Sequence, residues 1–170
     1  GTVNVGAIPT IAPYLLPPIL KTFARRHPQA TVALHENLTA FTVRGCLEGK
    51  LDVGIIATPE NNDLLHSEPL FVEELLVALP PKHRLAKHRS VSLARLAEEP
   101  FVLIDEVHCL GEQVIGFCKQ QGCLPVVRCQ SVQLLTIQRL VALGHGVSLI
   151  PAMAHEKDRG PRCEYRHVMN

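Results

Sequence analysis

The 170-residue chain has no apolar stretch of membrane-spanning length, which takes about 20 residues, so nothing points to a membrane. It opens on Gly1-Thr2 and an alternating segment rather than on a signal peptide, an abrupt start that suggests a piece of a longer protein. A charge of one sign is also missing: 17 lysines and arginines against 16 acids leave a net +1. That balance gives no global electrostatic case for nucleic-acid binding. The clusters Lys82-His83-Arg84 and Lys87-His88-Arg89 are short and read as a solvated loop. No phosphate-binding glycine loop, nucleophile elbow, internal repeat or low-complexity tract is visible. Nor is there a helix-turn-helix pattern, so this chain is not expected to read DNA by itself.

What is present argues for a packed core, since 46% of the residues are hydrophobic. Six cysteines stand at 46, 109, 118, 123, 129 and 163, inside apolar periodic segments rather than framing loops. A disulfide-stapled secreted scaffold would be smaller and richer in loops, so the reading is reduced and cytoplasmic. Cys109, Cys118, Cys123 and Cys129 are spaced nine, five and six apart, which matches no familiar zinc pattern. No metal or cofactor is expected.

Thr2 to Ile8 alternates as a strand, and an apolar-faced helix follows from about Pro13 to Arg26. His27-Pro28 ends it. A strand over Ala30–His35, a helix over Thr39–Gly49 with Gly49 as its C-terminal cap, and a strand over Leu51–Ala57 complete a parallel, doubly wound pattern. Beyond Asp63 the spacing predicts a strand over Phe71–Leu79, a short helix over Ser92–Ala97 and a strand over Phe101–Ile104. A helix from Cys109, a strand over Val126–Gln130, a helix over Gln133–Leu143 and strands at Val147–Ile150 and Glu164–Val168 follow. The fold class is therefore α/β, with two Rossmann-like lobes at 1–77 and 78–170 and a cleft between them.

The most informative stretch is His108-Cys109-Leu110-Gly111-Glu112-Gln113-Val114-Ile115-Gly116-Phe117-Cys118. Leu110, Val114, Phe117 and Gln121 fall on one helical face, with Cys118 beside Phe117. An intact helix separates the Cα atoms of Cys109 and Cys118 by about 13 Å and puts them on opposite sides. A disulfide needs them within about 7 Å. The pair can bridge only if the helix unwinds, which is the logic of a redox switch. The unpaired N–H groups at the helix start favour an anion at Cys109 by about 0.3–1 kcal/mol, too little alone to make a fast nucleophile. The plainer readings stay open: Cys46, Cys129 and Cys163 as small core residues, His108 as a structural histidine, Thr39 as a helix N-cap and Thr10 as a residue bonded to its own turn.

Three motifs carry a resemblance over nearly the whole chain. Ile8-Pro9-Thr10 precedes an apolar helix, Leu47-Glu48-Gly49-Lys50-Leu51-Asp52 precedes a strand, and Val141-Ala142-Leu143-Gly144-His145-Gly146-Val147-Ser148-Leu149-Ile150-Pro151 lies near the end. In this order and spacing they resemble the effector-binding domain of LysR-type transcriptional regulators, whose fold is like that of periplasmic binding proteins. Within that family, His108-Cys109-Leu110, Gln113 and Gly116-Phe117-Cys118 resemble the OxyR peroxide sensors. The resemblance implies that hydrogen peroxide oxidises Cys109 and that Cys118 resolves it as a disulfide. It implies peroxide-binding roles for Thr10, Thr39 and His108, and a chain that is a regulator rather than an enzyme. It further implies a homodimer, tetrameric in the full-length protein, with DNA bound through an N-terminal helix-turn-helix and re-reduction by cellular thiols. Two departures stand out. Gly111 replaces a charged residue, and Cys123 and Cys129 are extra thiols able to compete as resolving partners. Members of the family continue with a strand and helix that return to the first lobe, and by this resemblance that tail is either cut off or absent here. The alternative is a domain of the same family that binds a small organic effector, with the cysteines incidental.

Overall fold

The computed structural model describes residues 1–105, 108–120, 122, 124–156, 160 and 162–169, with Glu156 by its backbone alone. The chain divides into two compact units, Gly1–Val72 and Glu73–Asn170.

In the first unit β1 (Thr2–Ala7), α1 (Ala12–Arg26), β2 (Thr31–Glu36), α2 (Thr39–Leu47) and β3 (Val53–Ile55) follow in order. The sheet is parallel, with β1 between β2 and β3. Ala7, Ala12 and Leu16 form its buried centre, and Leu20 and Ile55 pack against them. A proline in the first turn of α1 loses no intrahelical bond, whereas Pro17 and Pro18 remove two donors from the interior. His27 closes the helix, its N–H donating to Phe23 O at 2.8 Å. Gly49 takes φ +68° beyond α2, the left-handed turn that glycine adopts without strain.

The second unit holds β4 (Leu75–Leu79), a 3-10 turn (Arg84–Lys87), β5 (Ser90–Ser92), α3 (Leu93–Leu96), β6 (Pro100–Ile104) and α4 (Cys109–Gln120). Then come β7 (Val126–Ser131), α5 (Leu134–Ala142), β8 (Ser148–Pro151), α6 (Ala152–Glu156) and β9 (Glu164–Met169). Its main sheet runs β5-β9-β4-β8, with β4 antiparallel to both neighbours. A parallel pair β6-β7 abuts the end of β8, where the Val102 N–H donates to Val147 O at 2.9 Å and the Val147 N–H to Pro100 O at 2.8 Å. Val77, Leu96, Phe101, Ile137, Val141 and Ile150 are fully buried in this core.

The α/β class holds, with a mixed sheet in the second unit, and the details differ in two ways. The strand expected over Phe71–Leu79 begins only at Leu75, because Val72 is 98% exposed and Phe71 half-exposed. The first compact unit ends at Val72, ahead of the boundary expected at 77, which would run through β4. The 3-10 turn, β5 and α6 were not anticipated, being too short for a periodic signal.

Glu164 ties β9 to the turn after β4. Its carboxylate accepts the Lys82 N–H at 3.1 Å and pairs with Arg166 at 2.7 Å. Lys82 N–H and Arg166 hold that carboxyl below the usual glutamate range. A lowered folded-state value means stability that is complete above the unfolded pKa of about 4.3 and is lost as pH falls through the lowered value. Glu164→Gln is expected to lower the melting temperature at pH 7, and that deficit should shrink steadily below pH 4. A deficit independent of pH would show that the carboxylate charge contributes nothing.

Candidate functional site

In the first unit the expected site residues lie at one edge of the parallel sheet. The β1 chain leaves through Ile8-Pro9-Thr10, and the Ile11 and Ala12 N–H groups both donate to Ile8 O, at 3.0 and 2.9 Å. Thr10 is 4% exposed. β2 leaves through Asn37, whose N–H donates to Ala7 O at 3.1 Å, and Leu38 caps α2. Thr39 is thus the first helical residue and makes no side-chain capping bond, a correction to its reading as N-cap. Both threonines follow the carboxyl ends of adjacent parallel strands, Thr10 after β1 and Thr39 after β2. In open α/β sheets such an edge is where ligands bind.

Thr39 differs from its neighbour Thr42 one turn on. Thr42 is fully buried and donates its hydroxyl to Asn37 O at 3.4 Å. The Thr39 Oγ1 is buried and has no hydrogen-bond partner among the described residues. A buried hydroxyl without a partner costs about 1–3 kcal/mol. Such a group is uncommon and asks for an explanation, a bound ligand among them.

The second unit carries the rest. β6 ends at Ile104, paired with Ser131 of β7, and the Asp105 N–H donates to Ser131 O at 2.9 Å. The chain resumes at His108, 6% exposed, whose N–H donates to Asp105 O at 3.0 Å and whose carbonyl accepts the Gly111 N–H at 2.9 Å. Cys109 is the first residue of α4 and half-buried. Glu112, in the first turn, complements the positive end of the helix dipole. The helix is whole through Gln120, and its buried face is Leu110, Gly111, Val114 and Cys118 rather than one running through Phe117, which is half-buried. Gln121, the last position of the expected face, lies outside the described residues, as does Cys123. Cys118 is 1% exposed. Nine residues of helix place it about 13 Å along the axis from Cys109 and on the other side, so the whole helix keeps Cys118 apart from Cys109 and from His108 beside it in the chain.

Two features of this helix escaped the sequence reading. Gly111 approaches the end of β6 so closely that a Cβ would stand 2.8 Å from both Ile104 O and Asp105 O. A glycine inside a helical pattern is the signal that such a contact exists. On its other flank α4 borders an open groove of about 570 Å³ lined by Glu74, Leu75, Gln113, Phe117 and Val168, among others. Among the described residues, no three His, Cys, Asp or Glu side chains gather as metal ligands would, and no helix is long and apolar enough to cross a membrane.

The remaining thiols are set apart by burial. Cys163 is 6% exposed and donates to Gln138 O at 3.1 Å. Cys46 and Cys129 are half-buried, short of the core positions expected, and partial burial pushes the Cys46 thiol up. Limited alkylation of the reduced chain at pH 7.5, read by peptide mass spectrometry, is therefore expected to modify Cys109 ahead of Cys46 and to leave Cys118 and Cys163 for last. Labelling of Cys118 as fast as Cys109 would mean that α4 opens freely before any oxidant is added.

The chain has well-defined relatives. The family profile of the LysR substrate binding domain matches residues 1–168. The chain is 34% identical over 159 residues to the DNA-binding transcriptional dual regulator OxyR of Escherichia coli, covering 94% of this chain and 52% of that protein. It is 33% identical over 159 residues to a hydrogen peroxide-inducible genes activator of Pectobacterium carotovorum, covering 94% and 53%. It thus spans about half the length of the curated relatives it matches. Among solved structures, the reduced form of OxyR from N. meningitidis superposes with a TM-score of 0.87 at 29% identity, covering all of this chain and 80% of that one. The reduced OxyR regulatory domain from Pseudomonas aeruginosa gives 0.86 at 31% identity, covering 99% and 82%. A three-stranded parallel sheet, a mixed second sheet and a family match along nearly the full length agree: the chain belongs to the LysR substrate-binding-domain family.

Proposed function

We propose that this chain is the redox-sensing regulatory domain of an OxyR-like transcription factor, with hydrogen peroxide as its signal. The observation that carries the reading is α4 itself, with a partly exposed thiol on its first turn and a fully buried one on its opposite face. The Cys109 thiolate attacks one peroxide oxygen, the O–O bond breaks, and hydroxide leaves, so that Cys109 becomes sulfenic acid. The Cys118 sulfur then displaces that hydroxyl, which leaves as water with the thiol proton, and an S–S bond forms. The bridge is incompatible with nine residues of helix, so oxidation remodels the segment.

Thr10, Thr39 and His108 are assigned to holding the peroxide. A hydroxyl both donates and accepts, as peroxide requires of its partners, and the unpartnered Thr39 Oγ1 has that capacity unspent. The rest of the protein supplies a helix-turn-helix for DNA, and a second copy of the domain packs against this one so that the remodelled segment alters the assembly on DNA. Cytoplasmic thiols reduce the bridge and reset the domain. The competing reading, an organic effector bound by the same hydroxyls, predicts a response that survives Cys109→Ser.

One equivalent of hydrogen peroxide should give a Cys109–Cys118 linked peptide by mass spectrometry and a loss of far-ultraviolet helix signal. In Cys118→Ser, trapping should find sulfenate on Cys109. Unmodified Cys109 at that dose would sink the proposal. Thr39→Val tests the peroxide site apart from the fold: removing an unpartnered buried hydroxyl should leave thermal stability equal or higher, while oxidation slows by up to about tenfold, one hydrogen bond's net worth. Unchanged oxidation would remove Thr39 from the site.

A further inference from the structure

Two glycines stand inside α4 between the cysteines, and each weakens a helix relative to alanine. The first has a packing reason. A Cβ on Gly111 would meet Ile104 O and Asp105 O at 2.8 Å, and both are backbone atoms that cannot swing aside. The second has none. A Cβ on Gly116 would meet nothing within 4 Å, and its backbone is not among those with positive φ. Gly116 faces the open groove and lies two residues before Cys118, in the stretch that must lose its helical form if the cysteines are to meet.

We propose that Gly116 is a positioning residue for the redox step, one that lowers the cost of opening α4, and that Gly111 opposes it by seating the first turn against the end of β6. The pair would set where the thiol–disulfide equilibrium lies. This rests on the Cys109–Cys118 reading. In a glutathione buffer the same bridge forms when both thiols give up their protons and two electrons to glutathione disulfide, which leaves as two molecules of glutathione.

The test is the equilibrium fraction of Cys109–Cys118 disulfide in a series of glutathione buffers, measured by mass spectrometry on the chain and three variants. Gly116→Ala stabilises the helical thiol form, so the equilibrium should move about fivefold toward thiols. For a two-electron couple that makes the potential about 20 mV less negative. Gly111→Ala should move it the other way, because the clash with β6 falls on the thiol form alone. Thr136→Ala strengthens the exposed face of α5 in the same manner and should leave the potential at the wild-type value. If wild type forms no such bridge with glutathione disulfide or with peroxide, the proposed function falls and this inference with it. If wild type forms it and Gly116→Ala titrates identically, or Thr136→Ala shifts equally, the role of Gly116 is overturned while the switch stands. Should Gly111→Ala fail to fold, the Gly116 comparison decides alone.

Discussion

A whole α4 and a bridge between Cys109 and Cys118 exclude one another, and most of the site follows from that. The helix keeps the two sulfurs on opposite faces, so the reduced form is held by whatever holds the helix. Leu110 and Val114 are buried along with Cys118, and each large apolar side chain removed from water contributes about 1.5–3 kcal/mol. Helix propensity adds little, with two glycines in twelve residues. Packing therefore decides whether α4 stays whole, and on the proposed mechanism covalent chemistry has to outweigh a few side chains rather than a whole core.

The first unit contributes differently. Its sheet delivers two threonine hydroxyls to one edge by a backbone route: Ala7 accepts from Asn37, Ile8 accepts from Ile11 and Ala12, and both turns are thereby placed. Nothing in that scaffold satisfies the Thr39 hydroxyl. A fold selected for stability alone would replace it with valine at no loss of shape. Its retention in a buried spot is the kind of local cost that accompanies a binding role.

Much of this was legible beforehand because period and punctuation are local. Alternation marked β1 and β2, His27-Pro28 and Gly49 marked two helix ends, and the Cys109 helix was placed to its first residue. What failed depended on distant partners. The 71–79 run is apolar enough for a strand, yet only Leu75–Leu79 finds neighbours in β8 and β9. That β4 would pair antiparallel is not written in its own residues. The buried face of α4 is turned toward Gly111 and Cys118 because the close approach to Ile104 and Asp105 sets its rotation, and a pattern of apolar letters gives a glycine no weight. Thr39 has a capping residue's chemistry but stands one position too late, since Leu38 holds the extended conformation of the cap.

The two ends of the α4 region are anchored to one strand pair, at its opposite ends. Asp105 is bonded to Ser131, and Val126 is paired with Pro100, so the chain leaves and re-enters one parallel strand pair at fixed points. Whatever the segment between them does, it does as a crossover held at both ends of that pair. The entropy released on unwinding is bounded by that tether, and the displaced chain cannot drift through many arrangements. On the proposed function, a signal from oxidant would arrive as a change of local shape at a fixed place in the second unit rather than as general loosening, a form that a second copy of the domain could read.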